Sequence, residues 1–263
     1  MATVARKRAA ADASAPAAKV LPKLMATPTT VAKAASDRVP LFVSDTVDVW
    51  PQKQLHADNN GMVVKRGLVG TWDSHQVAID DAVERIGRGL VEEVDRSSKL
   101  SLEAGVKAAV ARMLHAAALP TPLSEQIGRD AESIGIAVGT MCDASAQLEI
   151  KLEIFGESIC SKWHVDNFVG RALVSYTGAV GTDYTPESNV NFWEMKHCGN
   201  NDCIILDKDR IEHIDVGDIL FIKGYGYKGG AGPLVHKSPT PRRHEDGRVV
   251  NRLILKVDVD TAW

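Results

Sequence analysis

Apolar residues recur at three- and four-residue spacing through the middle of the chain and at short, strand-like spacing towards its end. Ala78, Ile79, Ala82, Val83, Ile86, Leu90 and Val91 fall on one helical face and predict a first helix. A second run, SLEAGVKAAVARMLHAAAL, starts at a plausible cap, Ser101, and stops before Pro120, because the residue preceding proline disfavours helix. A third, SEQIGRDAESIGIAVGTMCDA, starts at Ser124. Upstream of these, PLFVSDTVDVW and MVVKR read as short extended pieces around the turn Asn59-Asn60-Gly61.

From Gln147 onward the pattern changes. LEIKLEIF, RALVSYTG, NVNFWEM, CIIL, DILFIKG, PLVH and VVNRLILKVDV are short apolar segments separated by Gly, Pro, Asn and Asp, and each reads as a strand. Helices followed by strands, without βαβ alternation, predict an α+β fold. The expected layout is a helical layer over about residues 74–146, packed on a β-rich sandwich or barrel over about residues 147–260. Together these form one domain spanning about residues 41–263.

Composition bounds the function without assigning one. Lys and Arg total 31 and Asp and Glu 34, a net charge of −3, which argues against a general nucleic-acid or anionic-membrane binder. No apolar run approaches the ~20 residues of a membrane span. Four cysteines are too few for a disulfide scaffold, so reduced thiols and an intracellular setting are expected. Residues 1–40 are rich in Ala, Ser, Thr and Pro, with seven basic side chains and only Asp12 and Asp37 as acids. Such a segment is either a disordered tail or an organelle transit-type sequence. The compartment is then the cytoplasm of a bacterium in the first case, and a plastid or mitochondrion in the second.

Two patterns suggest chemistry that their context withholds. Gly224, Gly226 and Gly229 fit G-x-G-x-x-G after a strand, but glycines continue to Gly232-Pro233 and leave no helix to receive a pyrophosphate. That stretch reads as a loop between strands. His197-Cys198-Gly-Asn-Asn-Asp-Cys203 resembles half of a zinc site, with His213 as a further ligand. The Gly-Asn-Asn-Asp stretch reads better as a hairpin turn holding two idle cysteines across strand ends. His115 on a helix reads as structural, and Arg242-Arg243-His244 as a solvated loop.

The strongest local signal is Trp163-His164-Val165-Asp166-Asn167. Residues two apart in an extended segment share a face, so His164 and Asp166 present an imidazole and a carboxylate to one point. His236, in PLVHKSP, is the natural third ligand from a neighbouring strand. Two histidines and one carboxylate leave open positions on an octahedral metal, the facial triad of non-haem iron oxygenases. Gly217-Asp218 with apolar residues after it precedes His236, and Arg252-Leu-Ile-Leu255 follows. With these residues, about 150–260 resembles the Fe(II)/2-oxoglutarate-dependent dioxygenases and their double-stranded β-helix.

That resemblance implies that His164, Asp166 and His236 hold Fe(II), and that Arg252 pairs bidentately with the distal carboxylate of 2-oxoglutarate. Arg248 is the competing anchor. Tyr176 or Ser175, on the strand after H-x-D, is expected to bond a cofactor carboxylate, with a core role equally open. The alternatives are a non-catalytic zinc-binding protein using the same three ligands, and a cupin-type isomerase or hydrolase. The substrate class left open is a small molecule or peptide.

A narrower likeness is to the family known as domain of unknown function 1826. It rests on Cys160-Ser-Lys-Trp-His164-Val-Asp166, on Tyr176-Thr-Gly178-Ala-Val-Gly181-Thr182, and on Lys223-Gly224, His236-Lys-Ser238-Pro239 and Arg252-Leu-Ile-Leu255. The glycine pair is one residue wider apart than in the family pattern. This resemblance carries no activity with it.

Overall fold

In the computed structural model, residues 40–68, 72–142, 147–156 and 160–261 are described; the leading segment expected to be a tail or transit sequence lies outside them. Strands β1 (Leu41–Ser44) and β2 (Gly61–Val64) come first, followed by helix α1 (Gln76–Ile86) and strand β3 (Gly89–Asp95). Helices α2 (Lys99–Ala117) and α3 (Thr121–Met141) are followed by β4 (Gln147–Phe155), β5 (Gly170–Ser175) and β6 (Thr182–Thr185). Two short helices, α4 (Phe192–His197) and α5 (Asn201–Ile204), lead to β7 (Glu212–Ile214), β8 (Ile219–Lys223), β9 (Val235–Lys237) and β10 (Arg252–Val259).

The local chemistry explains where these elements differ from the sequence expectation. The first helix ends at Ile86 because Gly87 turns the chain in the left-handed region, at φ 63°. Leu90 and Val91, expected on that helix, therefore belong to β3, where Leu90 pairs with Leu152 of β4. The cap of α2 is Ser98 rather than Ser101, its hydroxyl accepting from the Ser101 N–H. Helix α3 begins three residues early, with Pro122 in the first turn, where a missing N–H costs nothing. NVNFWEM and CIIL are only partly extended: Phe192–Met195 and Cys203–Ile204 are helical, with Asn191 and Asn200 accepting from backbone N–H groups to cap α4 and α5, while Val190 and Ile205 form an isolated antiparallel bridge.

The mixture of helices with a large sheet is as expected, but the boundary between them is not. A seven-stranded sheet runs β1-β2-β8-β5-β10-β4-β3, antiparallel throughout except for the β1–β2 pair. Its edges are thus built from strands that precede or interrupt the helical region. A three-stranded sheet runs β7-β6-β9.

Strand alternation gives the large sheet two unlike faces. Leu253, Leu255 and Val257 of β10, with Ala172 and Val174 of β5, pack against Ile79, Val106, Ile127, Ile134 and their neighbours from α1, α2 and α3. Each buried aliphatic side chain there contributes ~1.5–3 kcal/mol. On the opposite face, Leu173, Leu220, Ile222 and Ile254 pack with Tyr184, Ile214 and Leu234 from the region of the small sheet. The same face also carries Arg171, Arg252 and Lys256, which border the site described next. Among the described residues, no helix is long and apolar enough to cross a membrane.

Candidate metal centre

His164 and His236 face each other as a hydrogen-bonded antiparallel pair. The His164 N–H donates to the His236 carbonyl and the His236 N–H to the His164 carbonyl, both at 3.0 Å. Residues so paired project side chains to one face, and the two ring centroids lie 4.4 Å apart. Asp166, two residues beyond His164, returns to that face. Its Oδ1 lies 3.7 Å from His164 Nε2 and its Oδ2 3.7 Å from His236 Nε2. One ligand atom from each of the three residues falls within 4.8 Å of the others.

The far side of each ring fixes which nitrogen is free. His164 Nδ1 lies 2.8 Å from the Lys162 carbonyl and His236 Nδ1 3.0 Å from the Leu234 carbonyl. A carbonyl only accepts, so each Nδ1 carries the hydrogen and each Nε2 keeps its lone pair for a metal. Burial lowers the pKa of His236 to about 4, holding the imidazole neutral as a metal ligand must be.

Asp166 is oriented from behind by a buried ionic relay. Arg171 Nη1 lies 3.1 Å from Asp166 Oδ2, while Arg171 Nε and Nη2 donate to Asp258 at 2.7 and 3.0 Å. Lys151 Nζ adds a bond to Asp258 at 3.0 Å. Burial acts to raise the Asp258 pKa, but Arg171 and Lys151 outweigh it and hold the carboxyl below its usual range. Arg171, Asp258 and Lys151 escaped the sequence reading. The signal was present: Arg252, Lys256 and Asp258 alternate with Leu253, Leu255 and Val257, the pattern of a strand with a polar inner face.

A cavity of about 150 Å³ opens beside the histidines, lined by His164, His236, Arg171, Leu173, Arg252 and Ile254 among others. Arg252 is 4% exposed. Its Nη2 donates to Ser175 Oγ at 2.9 Å and to the Gly181 carbonyl at 2.6 Å, whereas its buried Nε and Nη1 have no partner among the described residues. Burial lowers its pKa to about 10, Asp183 acting in the opposite direction. Gly178, at φ 122°, passes so close that a β-carbon there would lie 3.2 Å from Arg252 Nε. The glycines of the Tyr176–Thr182 segment thus wrap the guanidinium.

The competing anchor, Arg248, lies at the surface with its Nε bonded to Asp246 at 2.6 Å, and it does not line the cavity. Tyr176, expected at a cofactor carboxylate, points the other way. Its hydroxyl donates to Asp130 of α3 at 2.7 Å, in the core beneath the helices. Adjacent residues of a strand face opposite sides, so Ser175 reaches Arg252 and Tyr176 cannot.

The glycine-rich loop receives no helix and instead braces the ligand segment. A β-carbon on Gly224 would lie 2.0 Å from the Phe168 carbonyl oxygen, and the Tyr225 N–H donates to the Asp166 carbonyl at 3.0 Å. The presumed cysteine hairpin is a helix–turn–helix: Cys198 caps α4 and Cys203 lies in α5. His213 is elsewhere, its Nδ1 2.6 Å from Asp183 Oδ1. The basic loop is solvated, Arg242 pairing with Asp73 at 3.2 Å.

The family model described as "Protein of unknown function (DUF1826)" matches residues 67–258. The chain belongs to this family. All three candidate ligands and Arg252 lie inside the matched region. No curated protein matches the chain by sequence. Among solved structures, an Arabidopsis thaliana dioxygenase for auxin oxidation in its 2-oxoglutarate complex aligns at 10% identity and TM-score 0.43, over 86% of this chain and 94% of that one. The Fe(II)/α-ketoglutarate-dependent dioxygenase TqaL aligns at 10% identity and TM-score 0.42, over 81% and 87%. A Pseudomonas putida prolyl-4-hydroxylase aligns at 8% identity and TM-score 0.38, over 83% and 100%. All three scores lie below 0.5.

Proposed function

We propose that this DUF1826 protein is a non-haem Fe(II)/2-oxoglutarate-dependent dioxygenase, with the large and small sheets forming a double-stranded β-helix. His164, Asp166 and His236 would hold the iron, and Arg252 the distal carboxylate of 2-oxoglutarate. The donor set fits: two imidazoles and one carboxylate converge while leaving positions open. When bound, Fe(II) with 2-oxoglutarate supplies an oxidant from O2 for a substrate bond, with decarboxylation to succinate.

The observation that carries the reading is Arg252. A buried guanidinium with two unpartnered nitrogens, lining the same cavity as both histidines, is an anion site awaiting its ligand. A protein that merely stored zinc on the same three ligands would have no use for that cation. Within the site, Arg171 aims Asp166, the two carbonyls behind the imidazoles set their tautomers, and Leu173 and Ile254 exclude water. The substrate is a small molecule or peptide.

The test is an anaerobic titration of Fe(II)-loaded protein with 2-oxoglutarate, followed by succinate analysis in air. The expected result is a weak visible charge-transfer band and succinate formation. Asp166→Ala and His236→Ala lose the iron. Arg252→Lys keeps the iron but needs more 2-oxoglutarate, because a point charge cannot reproduce the guanidinium fork. Retention of zinc with neither band nor succinate overturns the proposal.

A further inference from the structure

The turn joining α4 to α5 gathers a second group of ligand atoms, on elements other than those of the His164 site. One carboxylate oxygen of Glu194 and the Sγ atoms of Cys198 and Cys203 all lie within 4.8 Å of one another. Helical spacing accounts for the first two, since residues four apart share a face of α4. The chain then reverses at Gly199, whose N–H donates back to the Glu194 carbonyl at 2.9 Å, and α5 brings in Cys203. Both cysteines are exposed free thiols and Glu194 is half-buried, so a cation can reach them. His197, the imidazole that the sequence offered, is occupied otherwise. Its ring stacks on Trp193 with centroids 3.6 Å apart, and it does not join the gathered ligand atoms.

We propose that Glu194, Cys198 and Cys203 form a second metal site, taking one thiophilic divalent cation of the zinc class with water in the fourth position. Donor atoms around tetrahedral zinc lie ~3.5–3.8 Å apart. The existing cluster therefore closes onto a cation by side-chain rotation of about 1 Å, without moving the helices. Binding converts two thiols to thiolates, so M2+ enters as the two thiol protons leave. No oxidant or reductant is involved.

The site also has a structural consequence. Asn201, at the start of α5, accepts from the Trp163 N–H at 3.1 Å and donates to the Ser161 carbonyl at 2.8 Å. It thus clasps the segment that delivers His164. A cation joining α4 to α5 fixes the helix from which Asn201 reaches, and so acts as a buttress for that segment rather than as a reacting centre.

The experiment is a Co(II) titration of the full-length protein, kept reduced with a phosphine, with bound metal counted after desalting. Two equivalents and a near-ultraviolet thiolate-to-metal band are expected, with proton release in weak buffer. Cys198→Ser/Cys203→Ser should lose one equivalent and the whole band. His236→Ala should lose the other equivalent and keep the band. Glu194→Gln, a milder change at a half-buried position, should retain the fold and lose its Co(II) faster on dilution than the wild type. Absence of the thiolate band in the wild-type protein overturns the proposal, as does a stoichiometry that the serine variant leaves unchanged. A Cys198–Cys203 disulfide that persists under reductant overturns it equally.

Discussion

Replacing Arg252 with Met separates an arginine held for a ligand from one that holds the fold. The side chain is buried, and its unpartnered Nε and Nη1 groups together cost ~2–6 kcal/mol of desolvation. Against this stand the Nη2 bonds to Ser175 and Gly181, worth ~3–6 kcal/mol together as charge-assisted bonds. The lowering of the pKa to about 10 shows the surroundings disfavouring the charged form, by ~3 kcal/mol. Methionine fills a similar length without needing partners. Ligand-free Arg252→Met should therefore lie within ~2 kcal/mol of wild type, a Tm shift of at most ~8 °C. Loss of a structural buried cation would instead cost ~3–5 kcal/mol. Metal-loaded wild type, given 2-oxoglutarate at a hundred times its Kd, should gain ~2.7 kcal/mol, and the variant nothing. Urea denaturation and thermal melts with and without 2-oxoglutarate measure all four states. A variant at least 3 kcal/mol less stable, together with a wild type indifferent to 2-oxoglutarate, would refute the assignment and make Arg252 a structural cation.

Tyr176→Phe should cost ~1–2 kcal/mol in urea denaturation, since Arg66 and Gln126 still hold Asp130, and should leave 2-oxoglutarate affinity unchanged; a weakened cosubstrate would return the tyrosine to the cavity. Asp258→Asn should destabilise by ~2–4 kcal/mol and weaken metal binding ~10-fold or more, because Arg171 then no longer aims Asp166. The folded pKa of Asp258 is depressed, so its stabilisation is present above the unfolded carboxyl value of ~3.9 and is lost as pH falls through the folded value. The stability gap between wild type and Asp258→Asn should accordingly shrink in acid below about pH 4, and a constant gap down to pH 2 would contradict the relay. Gly224→Ala should lose ~2–3 kcal/mol and loosen metal binding, since its β-carbon meets the Phe168 carbonyl beside the ligand segment; an unperturbed melt would show that the loop yields freely.

Whatever depends on neighbours along the chain is legible without the fold. H-x-D places two ligands on one face because an extended backbone repeats every two residues. The apolar runs of β4, β5, β8 and β10 declare strands, and the periodic run of α2 a helix, for the same local reason. Local pattern also misleads: Gly87 ends α1 before Leu90, and between Cys198 and Cys203 Asn200 caps a helix that Asn201 begins, rather than both forming a hairpin turn. Which of several equal candidates meet is settled by long-range pairing. His236 stands opposite His164 through a two-bond backbone bridge between residues seventy-two positions apart in the numbering. Arg252 rather than Arg248 enters the cavity because β10 begins at residue 252, with that side chain on the inner face. Tyr176 turned away from the cavity because α3 supplied Asp130 on the opposite side of the sheet. Pairing between distant strands and the desolvation that follows from it are properties of the closed fold, and they choose among residues that local pattern leaves equivalent.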